Sequence, residues 1–411
     1  MPTRCYTMLP GKRRIAVAGM APEGVRAILC PHAKTFVTKV DFIYFNAGGG
    51  HRAAATALKA VIEEQGRPWE IRMVNLQELL DPLDVFRKVT GIRLEDIYNK
   101  MLARGWTLGS AQGVKFMHAV IRMYRRPTVR LLEKYWAESR PEMVVSLVPN
   151  FNRALCESLA AVFRQAPFVT ILTDIADYPP HFWIEPSTPD KQNQYLICGS
   201  GKAVAQAHAM GHAPERVFRT SGMILRPDFY RPVTVDRAGE RRRWGLDPDR
   251  PTGLVLFGGQ GSKAMLEIAK TLADMQLILI CGRNPELARK LRQMPASAPR
   301  HILEFTTEIP LFMRLADFLI GKPGPGSISE AVAMGLPVIV ERNAWTLPQE
   351  RYNAEWVVEH NAGIVLSSFR DIRAGVTEML HGLSYFQASV GKIHNRALFE
   401  IPDMLAGILE R

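Results

Sequence analysis

The sequence predicts an α/β protein built as two Rossmann-like, doubly wound domains facing an interdomain cleft. Three observations carry this. The chain has 411 residues, too many for one ordinary hydrophobic core. Strand-like and helix-like patterns alternate from Asp41 onward, pause at a Pro-rich stretch and then resume, which is the sequence form of parallel sheets covered by helices. Each half also carries a Gly-rich turn between a strand and a helix: Gly48-Gly49-Gly50 in the first and the loop 321–327 in the second.

The elements follow in order. Residues 1–38 fit poorly with the rest: Arg4, Lys12, Arg13, Arg14, Arg26 and Lys34 face the acid Glu23, and the apolar stretch 15–20 is too short for a secretory core. They are expected to form a poorly ordered extension, or to reflect a start assigned too far upstream. Residues 39–220 form the first domain, with buried strands over 41–45, 71–75, 143–147, 168–172 and 195–198 and helices over 53–65, 152–165 and 202–210. Pro227, Pro232, Pro248 and Pro251 stand among many charges in 221–252, which reads as a linker with one short helix. Residues 253–370 form the second domain, with strands over 253–257, 277–281, 301–305, 318–321 and 337–340, and 371–411 form C-terminal helices.

Composition narrows the function. A net charge of +12 calls for an anionic partner, such as a nucleotide, nucleic acid or an acidic membrane surface. No nucleic-acid motif and no basic tract with interleaved aromatics is present, so nucleic acid is not expected. The five cysteines (Cys5, Cys30, Cys156, Cys198, Cys281) are scattered and lack Cys-x-x-Cys spacing, which fits a reducing cytoplasm and no zinc site. No apolar run approaches a spanning helix.

In the first half, the Gly48-Gly49-Gly50 turn bares backbone at the positive end of a helix. His51 follows in the first turn, where the dipole disfavours imidazolium and suits the ring to act as a base; a solvated His after a plain turn is the bland alternative. Thr173-Asp174 ends a strand, with His181 and Trp183 in the loop beyond; near His51 these suit an acceptor, although an Asp at a strand end is often an Asx turn. In the second half, the Gly- and Pro-fixed loop 321–327 can aim amides at a phosphate, and Glu330 one turn on can accept from two ribose hydroxyls. Ser327 to Glu330 also has capping-box spacing, and that reading is favoured on spacing alone. Gln349-Glu350 at a helix start can bind vicinal hydroxyls or simply suit the helix dipole. Asp247-Pro248-Asp249 has metal-like spacing but lies among turn residues, so no metal is expected there. Neither Gly-rich turn has the dinucleotide or P-loop spacing. From Val114 to Arg126, Lys115, Arg122 and Arg125 line one side of a helix-like apolar stripe, suited either to an anionic membrane or to an ordinary half-buried surface.

Taken together, 45–52, Thr173-Asp174 with His181 and Trp183, Gly258-Gly259-Gln260-Gly261, the run 322–330 and Gln349-Glu350 resemble monogalactosyldiacylglycerol synthase and related diacylglycerol glycosyltransferases. The likeness spans roughly residues 41 to 370 and extends to the peptidoglycan lipid-intermediate N-acetylglucosaminyltransferase. It implies a GT-B fold and an inverting transfer of galactose or glucose from a UDP-sugar to diacylglycerol, without an obligatory metal or cofactor. It further implies that Gly259, Gly261, Gly324, Gly326, Ser327, Glu330, Gln349 and Glu350 hold the donor. His51 or Asp174 would be the base, and Gly49, Gly50, His181, Trp183, Lys115, Arg122 and Arg125 would serve the acceptor and the membrane. The place implied is the inner face of the cell membrane, peripherally. Pro325 between the two glycines and the unusual Asn343-Ala344-Trp345 stretch depart from the pattern and leave the sugar open. A UDP-N-acetylglucosamine-dependent transferase or epimerase, and a silent nucleotide-sugar or lipid-binding protein, are the rivals.

Overall fold

A computed structural model describes residues 37–46, 50–83, 121–187, 193–231 and 234–411. The first lobe is a parallel sheet of six strands, β1 (Thr38–Tyr44), β2 (Trp69–Asn75), β3 (Met143–Ser146), β4 (Phe168–Ile171), β5 (Gln194–Cys198) and β6 (Val217–Arg219), in the spatial order β2-β1-β3-β4-β5-β6. Strands β3, β4 and β5 are buried along their whole length, as expected of parallel strands covered on both faces. The covering helices include α1 (Gly50–Glu64), α2 (Leu76–Leu80), α3 (Arg125–Ser139), α4 (Asn152–Val162) and α5 (Gly201–Ala209). In α1, Ala54, Leu58, Val61 and Ile62 recur at helical spacing and form the buried stripe. The small alanines between them let the helix lie close to the sheet.

A short helix, α6 (Arg237–Arg243), precedes the second lobe and is tied to it: Arg237 and Arg241 bond Asp317 at 2.6 and 2.8 Å. The second sheet also has six parallel strands: β7 (Thr252–Leu256), β8 (Gln276–Ile280), β9 (Arg300–Leu303), β10 (Phe318–Gly321), β11 (Val338–Glu341) and β12 (Gly363–Leu366). Their order, β12-β11-β10-β7-β8-β9, is the Rossmann arrangement read from its own first strand. Its helices are α7 (Ala264–Thr271), α8 (Pro285–Arg292), α9 (Ile309–Leu315), α10 (Pro325–Ala333), α11 (Arg351–Glu359), α12 (Ile372–His381) and α13 (Leu383–Val390).

The chain then returns to the first lobe. In α14 (Ala397–Leu409), Leu398, Ile401 and Leu405 join the core that holds Leu58 and Ile62 of α1. At the crossing, Asn395 Nδ2 donates to the Met223 carbonyl at 2.8 Å, and Arg396 N to Ser221 Oγ at 2.7 Å. Both strands of the crossing are thereby fastened together. Two strands, β6 and β12, lie at sheet edges and were not legible in the sequence pattern, because both are short and only partly buried. Asp247 accepts from Asp249 N at 2.9 Å, so Asp247-Pro248-Asp249 forms an Asx turn. The extension 1–36 lies outside the described residues.

Candidate active site

Each sheet has one point where its connections change direction, between β1 and β3 in the first lobe and between β7 and β10 in the second. Ligands of open α/β sheets bind above such points, at the carboxyl ends of the strands.

In the first lobe this place belongs to the start of α1. Gly49 lies outside the described residues, while a Cβ on Gly50 would meet nothing within 4 Å. His51 Nδ1 is 3.0 Å from Thr173 Oγ1, beyond the end of β4. Burial pushes the imidazole down to about 4, against a hydrogen bond to the backbone of Leu147. The ring is therefore neutral at ordinary pH, with desolvation rather than the helix dipole as the main cause.

Asp174 is 8% exposed and accepts from Trp183 Nε1 at 2.8 Å. Its carboxylate is held by an indole, not used in an Asx turn. Burial pushes it up to about 7; the Trp183 bond and the Lys322 charge oppose that rise, while Glu350 and Asp177 add to it. Trp183 is 1% exposed, so its ring offers no surface to an acceptor, and the expected acceptor contact is corrected. It instead backs both candidate bases, with its ring centroid 5.8 Å from that of His51. Asp177, which sequence reasoning missed, organises this loop. It is fully buried and accepts from Trp183 N at 2.6 Å and His181 N at 3.0 Å. The only sequence signal was a second acid three residues after Asp174. His181 is exposed, in a left-handed backbone conformation with φ of 66°.

In the second lobe, α10 begins at Pro325 with Gly324 as its N-cap, and no side chain caps it. The helix thus starts three residues earlier than a capping box from Ser327 to Glu330 requires, and that reading falls. Glu330 is half-buried, and desolvation pushes its carboxyl up to about 7 against the Arg226 charge. Arg226 also lines a groove of about 360 Å³ beside α1, together with Arg52, Thr56 and Pro227. Bare backbone faces open space at Gly258, Gly259 and Gly326, where a Cβ would meet nothing within 4 Å. Gly261 differs: its φ is +64° and a Cβ would come within 2.6 Å of the Cys281 carbonyl oxygen, so its glycine is required by the turn itself. Ser327 and Gln349 are half-buried, Gln349 in the tight turn Pro348–Glu350 ahead of α11.

Glu350 is 7% exposed, and its Oε1 is 2.6 Å from Lys322 Nζ. Glu350 is the buried member of an ion pair made through Oε1, and the Lys322 side chain, 39% exposed, is its open face. Asn353 Nδ2 anchors the loop below by donating to the Pro323 carbonyl at 2.8 Å.

The lobes meet beside these groups. Ile175 and Ala176, next to Asp174, pack with Met223 and with Tyr352 of α11. Lys202 Nζ lies 5.7 Å over the Tyr352 ring. The Lys322 and Glu350 charges of the second lobe both bear on the Asp174 carboxyl, in opposite senses. The basic stripe is only partly described: Lys115 lies outside the described residues and Arg122 is exposed. Arg125 is half-buried and lies 3.1 Å from Glu157, a carboxylate it shares with Arg153.

Residues 254–382 match the Glycosyltransferase family 28 C-terminal domain. Two six-stranded parallel sheets around a cleft are the GT-B fold, and the match to the glycosyltransferase domain lies in the second of its two lobes. The chain is 27% identical over 387 residues to the monogalactosyldiacylglycerol synthase of Spinacia oleracea chloroplasts, spanning 89% of this chain and 68% of that one. Among solved structures, MurG of Acinetobacter baumannii shares the fold with a TM-score of 0.58 at 12% identity, covering 90% of this chain and 99% of that one. A UDP-GlcNAc 2-epimerase from Neisseria meningitidis, bound to UDP-GlcNAc, does so with a TM-score of 0.54 at 13% identity, covering 91% and 100%. Among the described residues, no helix is long and apolar enough to cross a membrane.

Proposed function

We propose that the protein is an inverting glycosyltransferase that moves a hexose, galactose or glucose, from a UDP-sugar to diacylglycerol, working peripherally on the inner face of the cell membrane. The observation that carries this reading is the buried Asp174, held by Trp183 beside the place where Ile175 and Ala176 pack on Tyr352 of the other lobe, the lobe that matches the transferase family. An inverting transfer needs a base on one face of the sugar and a held leaving group on the other. Asp174, with His51 beside it, takes the acceptor hydroxyl proton as that oxygen bonds to the anomeric carbon. The bond from that carbon to the diphosphate breaks, and UDP leaves with the electron pair. A carboxylate near pH 7 is well matched to this task, because it is both ionised in part and basic enough to accept a proton. Glu330 holds the ribose, and the amides around Gly259, Gly324, Gly326 and Ser327 hold the diphosphate, with Gln349 toward the sugar. No cofactor or metal takes part, so turnover should survive EDTA.

The spinach relative supports the lipid acceptor. Exposed Arg122, Met123, Arg126 and Arg130 support a membrane-facing surface ahead of and along α3. The epimerase that shares the fold supports the rival reading, an enzyme using UDP-N-acetylglucosamine. UDP release measured with and without diacylglycerol, across UDP-galactose, UDP-glucose and UDP-N-acetylglucosamine, with the lipids resolved by thin-layer chromatography, decides among these. Acceptor-dependent release and a new glycolipid are expected. Epimerised sugar without a lipid product would overturn the reading, and binding without turnover would leave a silent nucleotide-sugar binder.

A further inference from the structure

We infer that Lys322 is the cation that takes the charge of the donor's diphosphate, and that buried Glu350 acts as its positioning residue. The inference deepens the proposed function and rests on its placement of the donor. Lys322 sits directly after β10, two residues ahead of the Gly324 N-cap of α10. Its Nζ is held at 2.6 Å by Glu350 Oε1, whose side chain is 9% exposed, whereas the Lys322 side chain is 39% exposed. A lysine ammonium has three donors, and this one leaves further donors for a ligand entering from the cleft.

The pair is fixed from below. Asn353, fully buried, holds the Pro323 carbonyl at 2.8 Å, and Gly324 N donates to the Lys322 carbonyl at 2.8 Å. A Cβ on Gly324 would lie 3.5 Å from Lys322 Cε and 3.8 Å from Glu350 Oε1, so the glycine leaves the pair's flank uncovered. Glu350 directly precedes α11, whose Tyr352 packs with Ile175 and Ala176 of the first lobe, so the pair lies on the side where the two lobes meet. Backbone amides carry only partial charge, and breaking the sugar–diphosphate bond adds negative charge to the leaving group. A preorganised full positive charge at that point strengthens in effect as the bond breaks. A buried carboxylate is the device that keeps a flexible four-carbon lysine in one orientation.

The test is UDP and uridine affinity by calorimetry, at fixed salt, for the wild-type chain, Lys322→Met, and the double variant Lys322→Met with Glu350→Gln. The double variant removes the carboxylate that the single one would leave buried and unpaired, so a folding defect in the single variant does not decide the matter. Loss of UDP affinity by roughly 10- to 100-fold with uridine affinity unchanged is expected in the double variant, the scale of a charge-assisted contact. An unchanged ratio of UDP to uridine affinity in a folded double variant overturns the inference while leaving the proposed function standing. A wild-type chain that binds no UDP overturns the proposed donor, and this inference with it.

Discussion

Trp183 Nε1 donates to Asp174 Oδ2 at 2.8 Å, from an indole that is 1% exposed. A buried donor aimed at a buried carboxylate favours its ionised form, and is one of the opposing influences that hold Asp174 near 7 instead of higher. Trp183→Phe keeps the ring beside His51 and deletes this bond. The lower limb of the kcat profile should then move up by roughly 1–2 pH units, the scale of one hydrogen bond to a charged group. A profile that does not move would remove Asp174 from the proton transfer.

The two candidate bases differ in where they titrate, His51 at about 4 and Asp174 at about 7. A base must be deprotonated to work, so kcat/KM rises with pH through the pKa of whichever group serves. A limb near 7 that is absent in Asp174→Asn assigns the base to Asp174, and a limb near 4 that is absent in His51→Gln assigns it to His51. Removal of the true base should lower turnover by roughly 10²–10⁴-fold.

Asp174 also links pH to stability. Its native pKa, about 7, stands above the unfolded value of 3.8, so the native state holds the proton more tightly. Its stabilising contribution is complete below about pH 4 and is lost as pH rises through 7. Asp174→Asn should therefore be more stable than wild type by on the order of 2–4 kcal/mol at pH 8, with the difference vanishing near pH 4. Urea denaturation at the two pH values checks this; an equal difference at both would show that burial is not straining the carboxylate. His51 works in the opposite sense, since its lowered pKa makes folding lose stability as pH falls from 6.5 toward 4.

Glu330 is free of any capping duty, because α10 starts at Pro325. Glu330→Gln should weaken UDP binding by roughly 1–2 kcal/mol, the loss of charge assistance to the ribose hydroxyls, with no fall in Tm. Calorimetry with UDP and a thermal scan of the same sample separate the two effects.

The membrane surface should depend on Arg122, Arg126 and Arg130, which are exposed and four residues apart, more than on Arg125, which is half-buried and held by Glu157. Replacing those three by Gln should weaken binding to phosphatidylglycerol vesicles by about 1 kcal/mol each, and Arg125→Gln by much less. Equal sedimentation of wild type and triple variant would assign this surface no lipid role.

Much of this was legible in the sequence, because local pattern sets it. Apolar runs of four or five residues between helical periods marked ten of the twelve strands, and the Gly-rich turns marked where the sheets open to a ligand. His51 and Asp174 stood out because each follows such an element within a residue or two. Sequence pattern does not reach a side chain whose role depends on what packs against it. Trp183 reads as an exposed loop aromatic until the loop folds back under Asp177, and Glu350 reads as a helix-start acid until Lys322, 28 residues away, reaches it. The sequence by itself determined most of the strands, helices and turns, since those follow from spacing and backbone preference over a few positions. Only the tertiary structure decided which charges are buried together and which face the cleft. Burial and pairing arise between segments of distant sequence, as Asp174 of one lobe feels Lys322 of the other, and no local pattern encodes that proximity.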